Sequence, residues 1–369
     1  MKKSLIALAV ASAISSPAFA ATSNADVYGQ ISFSVDHIDT NNASGDSSDL
    51  VTGRDNASRI GVKGSEDLGG GLSAIWQVEL QLNANSDISS TSSSISYYGY
   101  TFSFLTGVSG GTTFRNTFVG LKSTSLGTVL LGRHDTPYKL ATAKLDPFAD
   151  TIGDYNAIIG QTDSGGNLFD LRVGGTVAYI SPTFNGIHGA IAYVETKNVE
   201  PSGADNQKAW SGLVMYDNGP LFGSLAYELH SNLGGASSID NISAWKVGLG
   251  YTFGNTKLGL VYEDISHDAN NSNASRNAWY GSVAHTMGNI VLKGAYGKAG
   301  DGEGAGNNNT GADFFAVGGD YMFSKRTSVY GVYAKVNQDS FGTYNMFNYS
   351  SAGNGRDVDG FSLGIKHTF

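Results

Sequence analysis

The chain contains no cysteine and only six prolines among its 369 residues. The absence of cysteine excludes the disulfides on which small exported domains commonly depend, and it excludes a cysteine nucleophile. The five prolines after residue 20 all fall between the segments that alternate apolar and polar residues: Pro137, Pro147, Pro182, Pro201 and Pro220. Because a proline inside a paired strand removes a ladder hydrogen bond, this placement favours a chain built of β-strands.

Past residue 20 the chain also lacks any apolar run long enough for a transmembrane helix. The first twenty residues, "MKKSLIALAVASAISSPAFA", are different. Lys2 and Lys3 precede an apolar stretch from Leu5 to Ile14, and small residues lead to Ala20. This order predicts a cleaved secretory signal peptide over residues 1–20 and an exported mature chain over residues 21–369.

Positive charge is scarce. Lys and Arg number 23 against 32 Asp and Glu, for a net charge of −9, and loss of Lys2 and Lys3 with the signal peptide makes it −11. An acidic chain lacks the basic surface that nucleic-acid phosphates require, so no nucleic-acid partner is predicted.

What the chain has in abundance is alternation with a period of two. In the closing segment "VDGFSLGIKHTF", Phe361, Leu363 and Ile365 share one side of a strand, and Ser362 and Lys366 share the other. The same pattern recurs along the whole chain, without a convincing helical period.

The connections between these segments alternate between short and long. Seven short turns lie at 67–71, 123–127, 181–186, 217–220, 254–256, 286–289 and 324–327, and eight long loops lie at 36–57, 82–113, 135–168, 197–207, 230–241, 265–276, 299–310 and 338–357. Seven turns and eight loops separate about sixteen strands. Such strict alternation is typical of an up-and-down meander that has short turns at one rim and long loops at the other.

The polar faces carry Ser, Thr, Gln, Glu and Lys, which would be costly in a dry core, whereas the apolar faces are almost free of charge. A membrane barrel resolves this by turning the apolar side to lipid and the polar side to an aqueous lumen. About sixteen strands is also the size at which a barrel leaves an open channel. The predicted fold is therefore all-β, a transmembrane antiparallel up-and-down barrel.

Several blocks carry a resemblance to the general diffusion porins of Gram-negative outer membranes: "DVYGQISF", "SRIGVKGSEDLGGGLSAIWQVE", "RNTFVGLKSTSLGTVLLGRHDTPY", "DPFADTIGDY", "LRVGGTVAYISPTFNGI" and the final Phe369. The resemblance spans essentially all of residues 21–369. It implies a sixteen-stranded homotrimer in the bacterial outer membrane, with the third loop (135–168) folded into each pore.

The family's constriction residues fall on matching positions of this chain. The resemblance implies a positive wall of Arg59, Lys63, Arg133 and Arg172, facing third-loop carboxylates at Asp146, Asp150 and Asp154. Gln30 stands where some family members have a lysine, which removes one positive charge. Facing rows of fixed charge would orient water and polar solutes and bias ions without making or breaking a bond.

The resulting hypothesis is a passive channel for ions and small hydrophilic solutes, without a cofactor or metal, whose partners are outer-membrane lipid and two further copies of itself. A substrate-selective channel, or an adhesin or phage receptor built on the loops, remains an alternative. An enzyme is a weaker one, because HExxH, P-loop and GxSxG motifs are absent. The acidic net charge predicts a weak cation preference, which the basic wall positions would oppose.

Overall fold

The structure is a computed structural model of the chain. It describes residues 23–41, 47–84, 93–97, 100–104, 112–162, 168–196, 206–231, 241–267, 275–303, 308–349 and 354–369. The predicted signal peptide, residues 1–20, and parts of the predicted long loops lie outside these ranges.

The described residues form twenty strand segments. They are β1 (Ser23–Asn41), β2 (Ser47–Asp55), β3 (Arg59–Gly69), β4 (Leu72–Leu82), β5 (Ser93–Tyr97), β6 (Tyr100–Phe104), β7 (Thr112–Phe114), β8 (Thr117–Ser123), β9 (Gly127–Asp135), β10 (Arg172–Ile180), β11 (Ile187–Thr196), β12 (Gln207–Asn218), β13 (Leu221–Ser231), β14 (Ile242–Phe253), β15 (Thr256–His267), β16 (Arg276–Met287), β17 (Ile290–Ala299), β18 (Ala312–Met322), β19 (Thr327–Gln338) and β20 (Val358–Thr368).

Eighteen of these segments form one sheet, and β5 and β6 form a separate two-stranded sheet. Every neighbouring pair is antiparallel, and β1 pairs with β20, which closes the sheet into a barrel. The segments β2 and β3 follow one another along β1, and β7 and β8 follow one another along β4, so each pair occupies a single position in the wall. The closed barrel therefore has sixteen strands, as the sequence predicted.

All seven predicted short turns join neighbouring antiparallel strands. The first long loop was predicted too broadly. Residues 36–41 continue β1 and pair with β2 in a hairpin that extends past the loop boundary, from Phe33 opposite Asp55 to Asn41 opposite Ser47. Polar residues such as Asp39, Thr40 and Ser48 hid this extension because they do not alternate with apolar ones.

The outer surface of the barrel is the apolar one. Phe361, Leu363 and Ile365 are each about half exposed, whereas Ser362 between them is only 1% exposed. Leu225, Leu249 and Leu260 repeat the pattern on β13, β14 and β15. In a water-soluble β-sandwich the leucine would be buried and the serine exposed. The opposite arrangement here confirms that the apolar side faces lipid.

The described parts of the third loop, residues 136–162 and 168–171, lie inside the barrel. It contains one short helix, α1 (Pro137–Leu140), and two single turns of 3₁₀ helix, Ala143–Leu145 and Tyr155–Ala157. Pro137 stands at the start of α1, and the side chain of Thr136 caps it by accepting from the backbone N–H of Lys139. Among the described residues no helix is long and apolar enough to cross a membrane.

The lumen contains more buried apolar surface than the sequence predicted. Phe148, Ile152, Ile158 and Phe169 of the third loop are fully buried against lumen-facing residues of β12–β19, so this side of the lumen holds an apolar core. Lumen-facing glycines allow the close approach. A Cβ on Gly297 would stand 2.4 Å from Ile158 Cδ1, and one on Gly250 would stand 2.9 Å from Leu145 Cδ2. Glycine is plentiful in the wall partly because the loop occupies its space.

Candidate pore constriction

The third loop brings one predicted carboxylate to one predicted wall arginine. Arg59, the first residue of β3, donates from Nη1 to Asp150 Oδ2 at 3.0 Å. Both side chains keep about a quarter of their surface exposed, so the ion pair borders solvent rather than the apolar core. Gln30 on β1 donates to the same Asp150 oxygen at 3.5 Å. The structure therefore places Asp150 at the tip of the loop against the β1–β3 wall.

The backbone of Asp150 is held in an unusual conformation. Its φ is +62°, a left-handed value that aspartate tolerates better than most residues. The side chain of Asp154 fixes this turn by accepting from the backbone N–H of Asp150 at 3.0 Å. Burial alone would raise the pKa of Asp150, but the charges of Arg59 and Arg115 outweigh it, and the pKa is lowered. Asp150 is therefore ionised at neutral pH.

The other two predicted loop carboxylates serve the loop itself. Asp146 accepts from the backbone N–H groups of Phe148 at 2.9 Å and Tyr155 at 3.1 Å, and from the Tyr280 hydroxyl on β16 at 3.0 Å. Asp154 accepts from the N–H groups of Asp150 and Asn156. Burial first, and then the Asp154 charge, raise the pKa of Asp146 to about 8. The structure does not bring these two carboxylates against the wall arginines.

Arg172, at the start of β10, pairs with a different acid. Its Nη2 lies 2.9 Å from Asp135 Oδ1, and its Nε donates to Asn116 at 2.9 Å. A β-bulge shifts the register of β10 between Val173 and Thr176. Gly175, with φ of +70°, accommodates the bulge, which re-aims the residues at the start of the strand.

Arg115 was missed by the sequence analysis. It lies in the break between β7 and β8, donates from Nε to Glu79 at 2.7 Å and from Nη1 to Gln81 at 2.8 Å, and is close enough to Arg59, Arg172 and Asp150 to feel their charges. The Tyr28 hydroxyl donates to the second oxygen of Glu79 at 2.9 Å. The quoted block "RNTFVGL" begins with this arginine, directly before an alternating strand, which was the available signal.

The remaining predicted wall residues have weaker links to the loop. Arg133 donates from Nε to the backbone carbonyl of Phe114 at 2.8 Å, and the described contacts do not bring it to a third-loop carboxylate. The Lys63 ammonium lies 5.0 Å from the centre of the Tyr28 ring. Lys366 on β20, which the sequence analysis placed on the polar side of its strand but not in the constriction, is close enough for its charge to act on Asp150. We call Arg59, Arg115 and Arg172 the arginine wall.

Buried ion pairs hold the other side of the loop. Glu263 on β15 is fully buried and accepts from Arg276 Nη2 at 3.0 Å, from the Tyr138 hydroxyl at 2.9 Å and from the backbone N–H of Gly160. Arg276 also donates to the loop carbonyls of Ile158 and Gln161.

A second such pair joins Lys246 of β14 to Asp170 of the loop, and both side chains are buried. We call the lumen face of β12–β17, with the loop packed on it, the loop-covered wall. Because the loop is tied to this wall, Asp150 is presented to the opposite side of the barrel. Within the described part of the chain, no cluster of three or more acidic or histidine side chains is arranged to hold a metal ion.

The chain resembles known outer-membrane proteins along most of its length. Residues 7–341 match the family model described as Gram-negative porin. The outer membrane porin protein 32 of Delftia acidovorans is 29% identical over the full length of both chains. The major outer membrane protein P.IB of Neisseria meningitidis serogroup B is 29% identical over 89% of this chain and 91% of its own.

The barrel also resembles solved structures. An anion-selective porin from Comamonas acidovorans matches 94% of this chain and all of its own with a TM-score of 0.77, at 24% sequence identity. At that identity the likeness establishes a shared fold.

Proposed function

Because the chain belongs to the Gram-negative porin family, we propose that its barrel is a passive diffusion channel of the outer membrane whose constriction lies between Asp150 and the arginine wall. The observation that carries this proposal is the Arg59–Asp150 pair, in which a loop crosses the lumen and places a carboxylate on an arginine of the opposite wall. The names of the relatives place those proteins in the outer membrane, which supports the same location here.

The charge balance at this gap supports a preference for anions, contrary to the weak cation preference expected from the net charge. Each arginine of the arginine wall is matched by a carboxylate: Asp150, Glu79 and Asp135. Lys366 acts on Asp150 from a further strand, and no carboxylate in the described part of the chain lies in ion-pair contact with it, so it adds a positive charge. Charges close to a narrow gap act on a passing ion more strongly than distant charges do. The extra positive charge at the gap therefore outweighs the negative charge of the loops.

Two substitutions on opposite sides of the gap test the proposal. Arg59→Ser should shift the ion preference toward cations, and Asp150→Asn should shift it toward anions. A unit charge about 7 Å from an ion in water changes its energy by about 0.6 kcal/mol, so the permeability of each ion should change by about threefold, in opposite directions for cations and anions. The measurement is the reversal potential of single channels in a salt gradient.

Lys298→Ser is the matched control, because Lys298 is 54% exposed on the outer face, where it pairs with Asp313. It should leave the reversal potential unchanged. If Arg59→Ser and Asp150→Asn move the potential in the same direction, the two residues do not form two sides of one filter.

Assembly as a homotrimer is part of the same proposal. Three aromatic ring pairs lie on the outer face of β11–β17, namely Tyr193–Trp210, Trp245–Tyr262 and Trp279–Tyr296. Such rings favour the lipid interface. The outer faces of β8 and β9 instead present Val119, Leu121, Val129 and Leu131, and they are the better candidates for contact with neighbouring protomers.

Native mass spectrometry in mild detergent gives the oligomeric state directly, and a stable monomer would contradict the assembly proposal. Cleavage after Ala20, tested by sequencing the N-terminus of the mature protein, remains a prediction for residues outside the described ranges.

A further inference from the structure

A cavity lies under the third loop, at the end of the barrel that carries the short turns. Its volume is about 450 Å³, within the range of pockets that bind small molecules. The loop contributes one side through residues 144–147, and the ends of β12–β18 contribute the rest. None of the three arginines of the arginine wall borders it, so the cavity is separate from the constriction.

Three lysines face this cavity, and they differ in their partners. Lys144 Nζ lies 2.5 Å from Asp217 and 3.9 Å from the centre of the Phe222 ring. Lys293 Nζ lies 2.8 Å from Asp320. Lys257 is exposed, and within the described ranges no carboxylate lies in ion-pair contact with it. The cavity thus holds two neutralised ammonium groups and one available group.

The remaining acid beside the cavity, Asp146, does not cancel the charge of Lys257. Its oxygens already accept from Phe148, Tyr155 and Tyr280. Burial and the neighbouring Asp154 raise the pKa of Asp146, so this carboxyl is less charged at neutral pH than an ordinary aspartate. Lys257 therefore remains available to an anion that enters the cavity.

The cavity also offers apolar surface. Leu145 and Pro147 of the loop and Phe222 of β13 line it together with the lysines. A neighbouring ammonium group and an apolar wall suit a solute that has both a carboxylate and an apolar body. A simple inorganic anion would bind the lysine but would leave the apolar wall in contact with water.

We propose that this cavity is a binding subsite for small organic carboxylates, with the carboxylate on Lys257 and the apolar body against Pro147 and Phe222. The inference rests on the proposed channel function, since solutes would reach the cavity through the lumen. The subsite would retain such solutes near the short-turn rim after they pass the constriction.

Benzoate is a suitable probe, and benzamide is its uncharged analogue. Binding to the purified, detergent-solubilised protein is measured by isothermal titration calorimetry, and current interruptions are measured in single channels. Lys257→Gln should weaken benzoate binding by roughly tenfold, the loss typical of a hydrogen bond to a charged group. Benzamide should bind much more weakly than benzoate to the wild type.

Lys122→Gln is the matched control, because Lys122 lies near a short turn on β8 and does not border the cavity. It should leave benzoate binding unchanged. Equal benzoate affinity in the wild type and Lys257→Gln, or equal affinity for benzoate and benzamide, would overturn the subsite. Failure of the channel proposal is a distinct result, because it would appear as absence of ionic current while the calorimetry still reports on the cavity.

Discussion

The two sides of the lumen use charge in different ways. On the arginine wall, Arg59 and Asp150 each keep about a quarter of their surface exposed, and their pair borders solvent. On the loop-covered wall, Arg276 and Glu263 are completely buried, as are Lys246 and Asp170. The same residue types thus form the proposed filter on one side and hold the loop to the wall on the other.

The difference follows from what surrounds each pair. Exposed pairs are stabilised weakly because water screens them, so their arrangement can be set by function. Buried pairs cost much desolvation energy and remain favourable only when every partner is present. The loop therefore gains its fixed position from the buried side, and Asp150 at its tip borders solvent.

The strongest test of this contrast removes a buried partner. Arg276→Met leaves Glu263 buried without its cation and removes the bonds to the carbonyls of Ile158 and Gln161. Losing one member of a buried pair typically costs about 3–5 kcal/mol. We expect a large loss of folded barrel, measured by heat-modifiable electrophoretic mobility, and a raised single-channel conductance in the surviving fraction.

Lys298→Met is the control, because it breaks the exposed Lys298–Asp313 pair at 3.7 Å. Exposed pairs contribute about 0–1 kcal/mol, so yield and conductance should match the wild type. Wild-type yield and conductance in Arg276→Met would show that the loop is held by its apolar contacts alone.

An intermediate effect, on ion selectivity, is expected for a substitution in the arginine wall. Arg115→Gln removes one positive charge. Glu79 then loses the bond from Arg115 Nε and keeps the bond from the Tyr28 hydroxyl. Selectivity should move toward cations by at least the threefold expected for one unit charge near the gap. Because Arg115 borders solvent, the yield of folded barrel should change far less than in Arg276→Met, and both readouts come from the same preparations. An unchanged reversal potential would exclude Arg115 from the filter.

The difference between the two walls also explains how much of the structure could be predicted from the sequence. Alternation predicted the sixteen strands and the lipid-facing side, because lipid selects apolar residues at every second position. The resemblance implied Arg59, Asp150 and Arg172. It did not distinguish Asp150, which meets an arginine, from Asp146 and Asp154, which satisfy the loop's own backbone. That distinction depends on the path of the loop, which no short pattern encodes.

Two further misses have local causes. Arg115 sits in a break between β7 and β8, where alternation stops, and so it was not assigned to a face. The buried residues Lys246, Glu263 and Arg276 were not singled out, because a lumen-facing charge on a strand has the same sequence pattern whether water or a loop covers it. The loop itself decides which of these charges are buried.

The smallest expected effect concerns pH and the loop. The folded pKa of Asp146 is about 8, well above its ordinary value of 3.8, chiefly because burial disfavours the charged form. A raised folded pKa means that the folded loop binds this proton more tightly than the unfolded chain does. The resulting stabilisation is complete below pH 3.8 and is lost as pH rises toward and through 8.

Above that range the new charge is buried beside Asp154, and repulsion between the two carboxylates loosens the loop. Open-channel current noise should therefore be higher at about pH 9 than at about pH 6. Asp146→Asn removes the titrating group and should flatten this dependence, whereas Asp150→Asn, at a carboxyl whose pKa is lowered, should leave it in place. Equal pH dependence in the wild type and Asp146→Asn would show that the loop responds to another group.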